Sequence, residues 1–198
     1  CSMQSLKTET FEFFKKVAGY DTLRLILCKK SILVEGDSDE LVVQRAYMDT
    51  HEGRLPIQDG IDVMTVGGVT FKRYLEIAQT LNKETAVVTD NDGNIEAVKK
   101  KYKEYEEIQC IHICVDEVVD TGDLKLSDKD FNYNTLEPKI LKENGRDVMN
   151  KIFGTNYDAD DEMHKYMYTH KTDCAIAIFE SATKIKYPEY IMRAIKNE

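Results

Sequence analysis

Three short runs of apolar, mostly branched residues govern what this chain can fold into. Each is stopped by a glycine or an acid, and each is followed by a stretch with helical spacing. The first is Ser31 to Glu35, closed by Gly36; the second is Ile61 to Val66, closed by Gly67 and Gly68. The third, Thr85 to Thr89, runs directly into Asp90-Asn91-Asp92-Gly93. Apolar runs this short, bounded by breakers, predict buried strands. Behind the first, Leu41, Val42, Ala46 and Met48 carry a helical pattern, opened by Asp37 with Glu40 three residues later as a helix-start pair. Behind the second, Phe71, Tyr74, Leu75, Ala78 and Leu81 share one helical face. Behind the third, a helix is expected from about Ile95 to Glu107, with Glu96 four residues before Lys100 as a mild support. A fourth strand is expected from Gln109 to Val115.

Strands joined by helices of this length form a parallel sheet covered on both faces. From Asp116 to Asn132 the pattern is polar and loop-like. The remainder reads as helical, with Pro188 opening a last helix through Ile191, Ala194 and Ile195. The expected class is α/β: a Rossmann-like parallel sheet of about four strands flanked by helices, with a helical C-terminal extension. Residues 1–20 read as a helical leader, and residues 21–198 as one domain with its core at about 30–116 and its helical portion at about 133–198. Cys1 and Ser2 precede Met3 and stand outside this pattern.

Composition narrows the setting. The chain has 198 residues, 42% of them hydrophobic and only 3 of them proline, enough to bury a core. The longest purely apolar run is Cys174 to Phe179, far short of the roughly 20 residues that span a bilayer. No charged-then-apolar leader opens the chain, and the 5 cysteines lack framework spacing, so a cytoplasmic protein with reduced thiols is expected. There are 36 acidic against 27 basic residues, a formal net charge of −9. A domain gripping DNA by charge alone is normally basic, so acidity on this scale points elsewhere unless carboxylates are gathered to hold cations.

The sequence gathers them. In open parallel sheets, chemistry collects at the carboxyl ends of the strands. Glu35 ends the first strand, with Asp39 one helical turn on; Asp90 and Asp92 follow the third. If those strands are neighbours, four carboxylates converge. Two unit charges 4 Å apart repel by about 4 kcal/mol at an effective dielectric near 20, so such a group needs protons or cations. Oxygen ligands suit Mg²⁺ or Mn²⁺ better than zinc. Singly, each piece reads more plainly: Asp37 as a helix cap, the Asp-x-Asp as a turn. Two acidic clusters at matching strand ends reverse that balance.

The residues then become recognisable. Ile32-Leu-Val-Glu-Gly-Asp-Ser-Asp39 resembles the first motif of Toprim domains, and Val88-Thr-Asp-Asn-Asp92 resembles their Asp-x-Asp motif. Gly19 to Arg24, Phe71 to Tyr74, Thr135-Leu-Glu137, Lys171 to Ala175 and Pro188 to Ile191 together resemble the C-terminal half of an OLD-family ATP-dependent endonuclease. The resemblance implies a Toprim nuclease domain that cleaves DNA with two divalent ions, Mg²⁺ or Mn²⁺. It implies Glu35, Asp39, Asp90, Asp92 and Glu137 as metal residues. One ion, held mainly by Glu35, Asp39 and Asp90, would activate water, and the other, near Asp92 and Glu137, would stabilise the leaving oxygen. Lys171 would stabilise transition-state charge and Glu35 would handle the proton. The implied partners are DNA and an N-terminal ABC-type ATPase domain, whose junction residues 1–20 would mark; a homo-oligomer would form through that other part. No Gly-x-x-x-x-Gly-Lys-Ser/Thr occurs here, so this chain is not the ATPase. Two positions depart from the family pattern: His170, where asparagine is expected, and Asp37, where proline is common.

Other signals are weaker. Cys110, His112 and Cys114 alternate, so along a strand they share a face too extended to converge on one zinc. The Lys99-Lys-Lys-Tyr-Lys103 run reads as a solvated helix face. Gly67-Gly68 reads as a tight turn as readily as a phosphate cradle. His170 reads as a surface histidine, and Thr172 as a cap that sets Lys171 beside a helix N-terminus. Three rival functions stay open: another Toprim phosphoryl transfer of primase or RNA-processing type, a phospho-acceptor signalling domain, and a non-catalytic interaction module.

Overall fold

The computed structural model describes residues 6–16, 20–68, 70–121, 125–126, 129–130 and 132–196. Gly19, and the residues before Leu6, lie outside this set. The core is a four-stranded sheet of β1 (Lys30–Val34), β2 (Ile61–Thr65), β3 (Glu84–Val88) and β4 (Ile111–Cys114), in the order β2-β1-β3-β4. Every pairing is parallel. Among the described residues five helices belong to this half: α1 (Thr8–Lys16), α2 (Tyr20–Leu27), α3 (Asp37–Thr50), α4 (Phe71–Leu81) and α5 (Ile95–Tyr102). The expected α/β architecture is the observed one.

Alternation along the strands divides the core in two. Ile32, Val34, Val63, Ala86, Val88 and Cys114 face one side, where Val42, Val43, Ala46 and Tyr47 of α3 meet them. Leu33, Met64, Val87 and Ile111 face the other, against Phe71, Tyr74 and Leu75 of α4, Tyr102 of α5, and Phe14 and Leu25 from the first two helices. Fully burying side chains of this size stabilises by roughly 1.5–3 kcal/mol each. Arg24 ties α2 to the sheet, its guanidinium donating to both carboxylate oxygens of Asp62 at 3.0 and 2.7 Å and to the Val63 carbonyl at 2.8 Å.

The described residues of the C-terminal part supply five more helices: α6 (Leu136–Asn144), α7 (Arg146–Phe153), α8 (Asp160–Thr169), α9 (Lys171–Glu180) and α10 (Glu189–Lys196). They extend the α3 side of the core through Ile140, Met149, Met163, Met167, Ile178 and Ile191. Pro188 does open the last helix, its carbonyl accepting from Ile191 N–H at 3.0 Å. No helix among the described residues is long and apolar enough to cross a membrane.

Four local readings change. Between Asp116 and Asn132 the chain is not wholly loop, because Lys125–Leu126 (β5) and Lys129–Asp130 (β6) pair antiparallel. The helix behind β3, α5, stops at Tyr102 and tightens into a 3₁₀ turn over Lys103–Tyr105, which buries Tyr102 and Tyr105 together. Cys110 precedes β4 and joins the α4 side of the core while Cys114 joins the other, so the cysteines do not share a face. His112 pairs with Glu84 at 2.6 Å. Finally, the capping acid of α3 is Asp39, which accepts from Gly36 N–H at 3.1 Å. Glu40 instead accepts from Thr65, through its N–H at 3.2 Å and its hydroxyl at 2.9 Å. Asp37 occupies the first helical position and is exposed.

Candidate active site

The site is built where β1 and β3 end side by side. The register that pairs Leu33 with Val87, continued two residues further, brings Glu35 and Thr89 opposite each other. The Thr89 hydroxyl donates to Glu35 Oε1 at 2.6 Å. Gly68, in the loop after β2, backs the same carboxylate: a β-carbon added there would stand 3.1 Å from Glu35 Cδ and 3.2 Å from both oxygens. Gly67 before it adopts φ +71°, a left-handed backbone suited to glycine. The glycine pair, which reads in the sequence as a tight turn as readily as a phosphate cradle, thus makes room for the Glu35 carboxylate.

Asp39 and Asp90 are half-buried beside Glu35. Burial, reinforced by the Glu137 and Glu35 charges, pushes the Asp39 carboxyl up to about 7, against the pull of Gly36 N–H and Lys171. Asp90 is raised well above the usual range by burial and then by Asp39, Glu35, Glu137 and Asp92. Like charges held close in a poorly solvated place disfavour ionisation. Glu137, buried in the first turn of α6, reaches Lys171 at 3.3 Å and accepts from the Thr135 hydroxyl at 3.3 Å.

Lys171 is the first residue of α9, with His170 at its N-cap. Thr172 therefore lies inside the helix rather than capping it. The Lys171 ammonium also lies 5.5 Å from the centre of the Tyr168 ring. Below the acids, Tyr190 of α10 is buried, and burial together with the Asp90 and Asp39 charges raises its hydroxyl far above the ordinary phenol range.

Glu35, Asp39, Asp90, Glu137 and Lys171 thus come together from β1, α3, the β3 end, α6 and α9. Asp92 stands at the margin. It is exposed, with φ +48°, and accepts from Asn132 Nδ2 at 3.0 Å while its charge still reaches Asp90. His170 turns away, its Nδ1 on the Tyr166 carbonyl at 3.0 Å and its ring stacked on Tyr166. Among the described residues no three His, Cys, Asp or Glu side chains are drawn in closely enough to chelate one ion as they stand. The donor set does fit a hard cation: it is all carboxylate, and the space beside Gly68 admits the Glu35 head group. Sequence reasoning missed Thr89, Asn91, Lys139 and Tyr190. Of these, Thr89 and Asn91 carried a signal, since both lie within the Asp-x-Asp segment.

A parallel sheet that gathers carboxylates from the ends of its first and third strands in this way is the arrangement expected of a Toprim domain. Residues 26–92 match the family model for the Overcoming lysogenization defect protein-like TOPRIM domain. Over that stretch the chain is similar to an OLD-like Toprim domain. Its fold is similar to the C-terminal region of the Xanthomonas campestris pv. campestris OLD protein, with TM-score 0.56 and 19% identity, covering 87% of this chain and 93% of that one. It is likewise similar to the C-terminal region of the Burkholderia pseudomallei OLD protein, with TM-score 0.51 and 16% identity, covering 85% and 96%. At these identities the likeness establishes the fold. A search of curated protein sequences returns no match.

Proposed function

We propose that this domain is a divalent-metal-dependent DNA endonuclease that hydrolyses phosphodiester bonds. One observation carries the reading: four carboxylates from four separate segments, Glu35, Asp39, Asp90 and Glu137, act on one another at the strand ends, with Lys171 joined to one of them. Structural acids are normally dispersed or neutralised, and a site that stores like charge is organised for cations.

Glu35, Asp39 and Asp90 on one side, and Asp92 and Glu137 on the other, would hold two Mg²⁺ or Mn²⁺ ions. Such ions, when bound, lower the pKa of an attacking water and offset charge on the departing 3′ oxygen. The chain's own groups do the rest. Glu35, aligned by Thr89 and Gly68, accepts the proton of the attacking water. Lys171, half-exposed at the start of α9, offers a cation to the non-bridging oxygens as charge builds on phosphorus. Its contact with Glu137 keeps it pointed into the site until phosphate competes for it.

The same reading makes this the nuclease part of a longer protein, with an ABC-type ATPase part elsewhere and duplex grip supplied outside this acidic domain. Residues 21–198 then form the nuclease unit, and residues 1–20 lead into it through α1, whose Phe14 packs into the sheet core. The decisive assay is cleavage of supercoiled plasmid with Mg²⁺, Mn²⁺, Ca²⁺ or EDTA, beside Asp90→Ala. Metal-dependent nicked or linear product that disappears in the variant supports the reading; product that persists in Asp90→Ala or in EDTA refutes it.

A further inference from the structure

The basic residue most completely enclosed by acids in this part of the chain is not Lys171. Lys139, on α6 two residues after Glu137, is buried with 4% of its side chain exposed. Its ammonium meets Asp116 Oδ2 at 2.6 Å, the Val118 carbonyl at 3.0 Å, and a carboxylate oxygen of Asp120. Two carboxylates and a carbonyl around one positive centre are the donors expected around a bound cation, here supplied by the chain.

The 116–120 segment held in this way is also what fixes the Asp-x-Asp turn. Asn91, 1% exposed between Asp90 and Asp92, donates from Nδ2 to the Asp116 carbonyl at 2.7 Å and to the Val118 carbonyl at 3.0 Å. The Val118 carbonyl is therefore shared by Asn91 and Lys139. The Asn91 Oδ1 accepts from Gly93 N–H at 2.9 Å, and its carbonyl accepts from Asn94 N–H at 2.7 Å, which sets the turn's shape. The connection closes on the other side. Asn134 accepts from Asp120 N–H at 2.8 Å and returns a bond to the Asp120 carbonyl at 3.0 Å, and its own N–H meets Asn132, the residue that holds Asp92.

We propose that Lys139 is a positioning residue of the acidic site: its ammonium group acts as a built-in cation that binds the 116–120 segment and, through Asn91 and Asn134, holds Asp90, Asp92 and Glu137 in one arrangement for divalent ions. The inference rests on the metal-ion reading of the site and adds to it a device that spans two of its acidic segments. Neither end of that device touches the ions; its work is to stop the Asp-x-Asp turn and the start of α6 from drifting apart under their mutual repulsion.

The test is Mn²⁺ binding by calorimetry, with amide exchange of Gly93 and Asn94 as a readout that needs no metal. Lys139→Met and Asn91→Ala are expected to bind Mn²⁺ at least about tenfold more weakly, the usual cost of losing a group behind a ligand. Both amides should exchange faster than in the wild type. Lys72→Met, which removes only the surface pair with Glu104, should match the wild type in both. A folded Lys139→Met or Asn91→Ala with wild-type affinity and exchange overturns the proposal. Should Lys139→Met not fold, Asp120→Asn decides, because it keeps the Asp116 contact: weakened Mn²⁺ binding supports the proposal and unchanged binding overturns it. The plasmid assay separates this from the nuclease reading. Weakened Mn²⁺ binding in the variants, with no cleavage by the wild type, upholds the positioning role and shows that this domain does not cleave DNA on its own. Cleavage by the wild type, with unchanged binding in the variants, does the reverse.

Discussion

Replacing Asp39 by asparagine should make the metal-free protein more stable. The Asp39 carboxyl is raised from 3.8 to about 7, by burial first and then by the charges of Glu137 and Glu35. Because the folded-state pKa lies above the unfolded one, the native chain keeps a proton that the unfolded chain releases. Stability is therefore greatest below about pH 4, falls as the pH rises to about 7, and levels off above it. A shift of about 3 units is worth roughly 4 kcal/mol at full effect, and partial solvent access reduces this to about 2 kcal/mol. For a chain of this size that is about 4–8 °C in Tm. The introduced asparagine retains an oxygen to accept from Gly36 N–H, so the helix start survives. In EDTA near pH 8, thermal unfolding followed by circular dichroism should place Asp39→Asn about 4–8 °C above wild type. Near pH 4.5 the gap should almost close, since the wild-type carboxyl is then protonated in the fold. Mn²⁺ should raise the wild-type Tm more than that of the variant. A variant that melts at or below wild type near pH 8 in EDTA would refute the argument that this carboxylate is held against its own ionisation.

Other outcomes follow from the same geometry. Glu35→Ala, Asp90→Ala and Lys171→Ala should each lower metal-dependent plasmid nicking at least about 10²-fold with unchanged circular dichroism, the scale of removing a group that meets developing charge; wild-type rates in any of them remove that residue from the mechanism. Gly68→Ala drives a methyl group against the Glu35 carboxylate. It should cut the rate about tenfold or more while shifting Tm by only a few degrees, and equal rates would mean that Glu35 is not held by that contact. Arg24→Met leaves Asp62 without its bidentate partner on the sheet. Urea unfolding should register a loss of about 3 kcal/mol, and a loss under about 1 kcal/mol would show the pair to be solvated.

How far the sequence discloses this site depends on whether a residue's role is local. Glu35 and Asp90 are legible because strands ended by acids place those acids at the sheet's carboxyl edge whatever else happens. That the two edges adjoin required β1 to pair with β3, a non-sequential pairing no local pattern encodes. The start of α3 shows the limit within a single turn. Asp37, Asp39 and Glu40 are all plausible capping acids, and the choice falls to Asp39 because Thr65, on β2, claims Glu40. Thr89 looks like the last residue of a strand until its hydroxyl is seen to meet a carboxylate 54 positions away. Lys139, read along the chain, is an ordinary helix lysine, and only the folding of 116–120 over it makes it an interior cation.

That internal use of cations bears on the net charge of −9. Lys30 is buried and donates to the Ala194 carbonyl near the end of α10; burial lowers its pKa to about 8. Arg45 donates to the carbonyls of Ile178, Phe179 and Ser181 at the end of α9 and pairs with Asp49. Both stand where a helix leaves unsatisfied carbonyls and partial negative charge, so each offsets a cost that burial would otherwise impose. Arg24 is committed to Asp62, and Lys139 to Asp116 and Asp120. The basic side chains that the sequence offers to a nucleic acid are thus fewer than their number suggests, because several are structural. Under the nuclease reading, a phosphodiester is drawn to this domain by the ions that its carboxylates hold and by Lys171, not by a positive surface. The duplex is then held by parts of the protein other than this one, and the acidity that argues against a free-standing DNA-binding domain becomes the condition for a metal site.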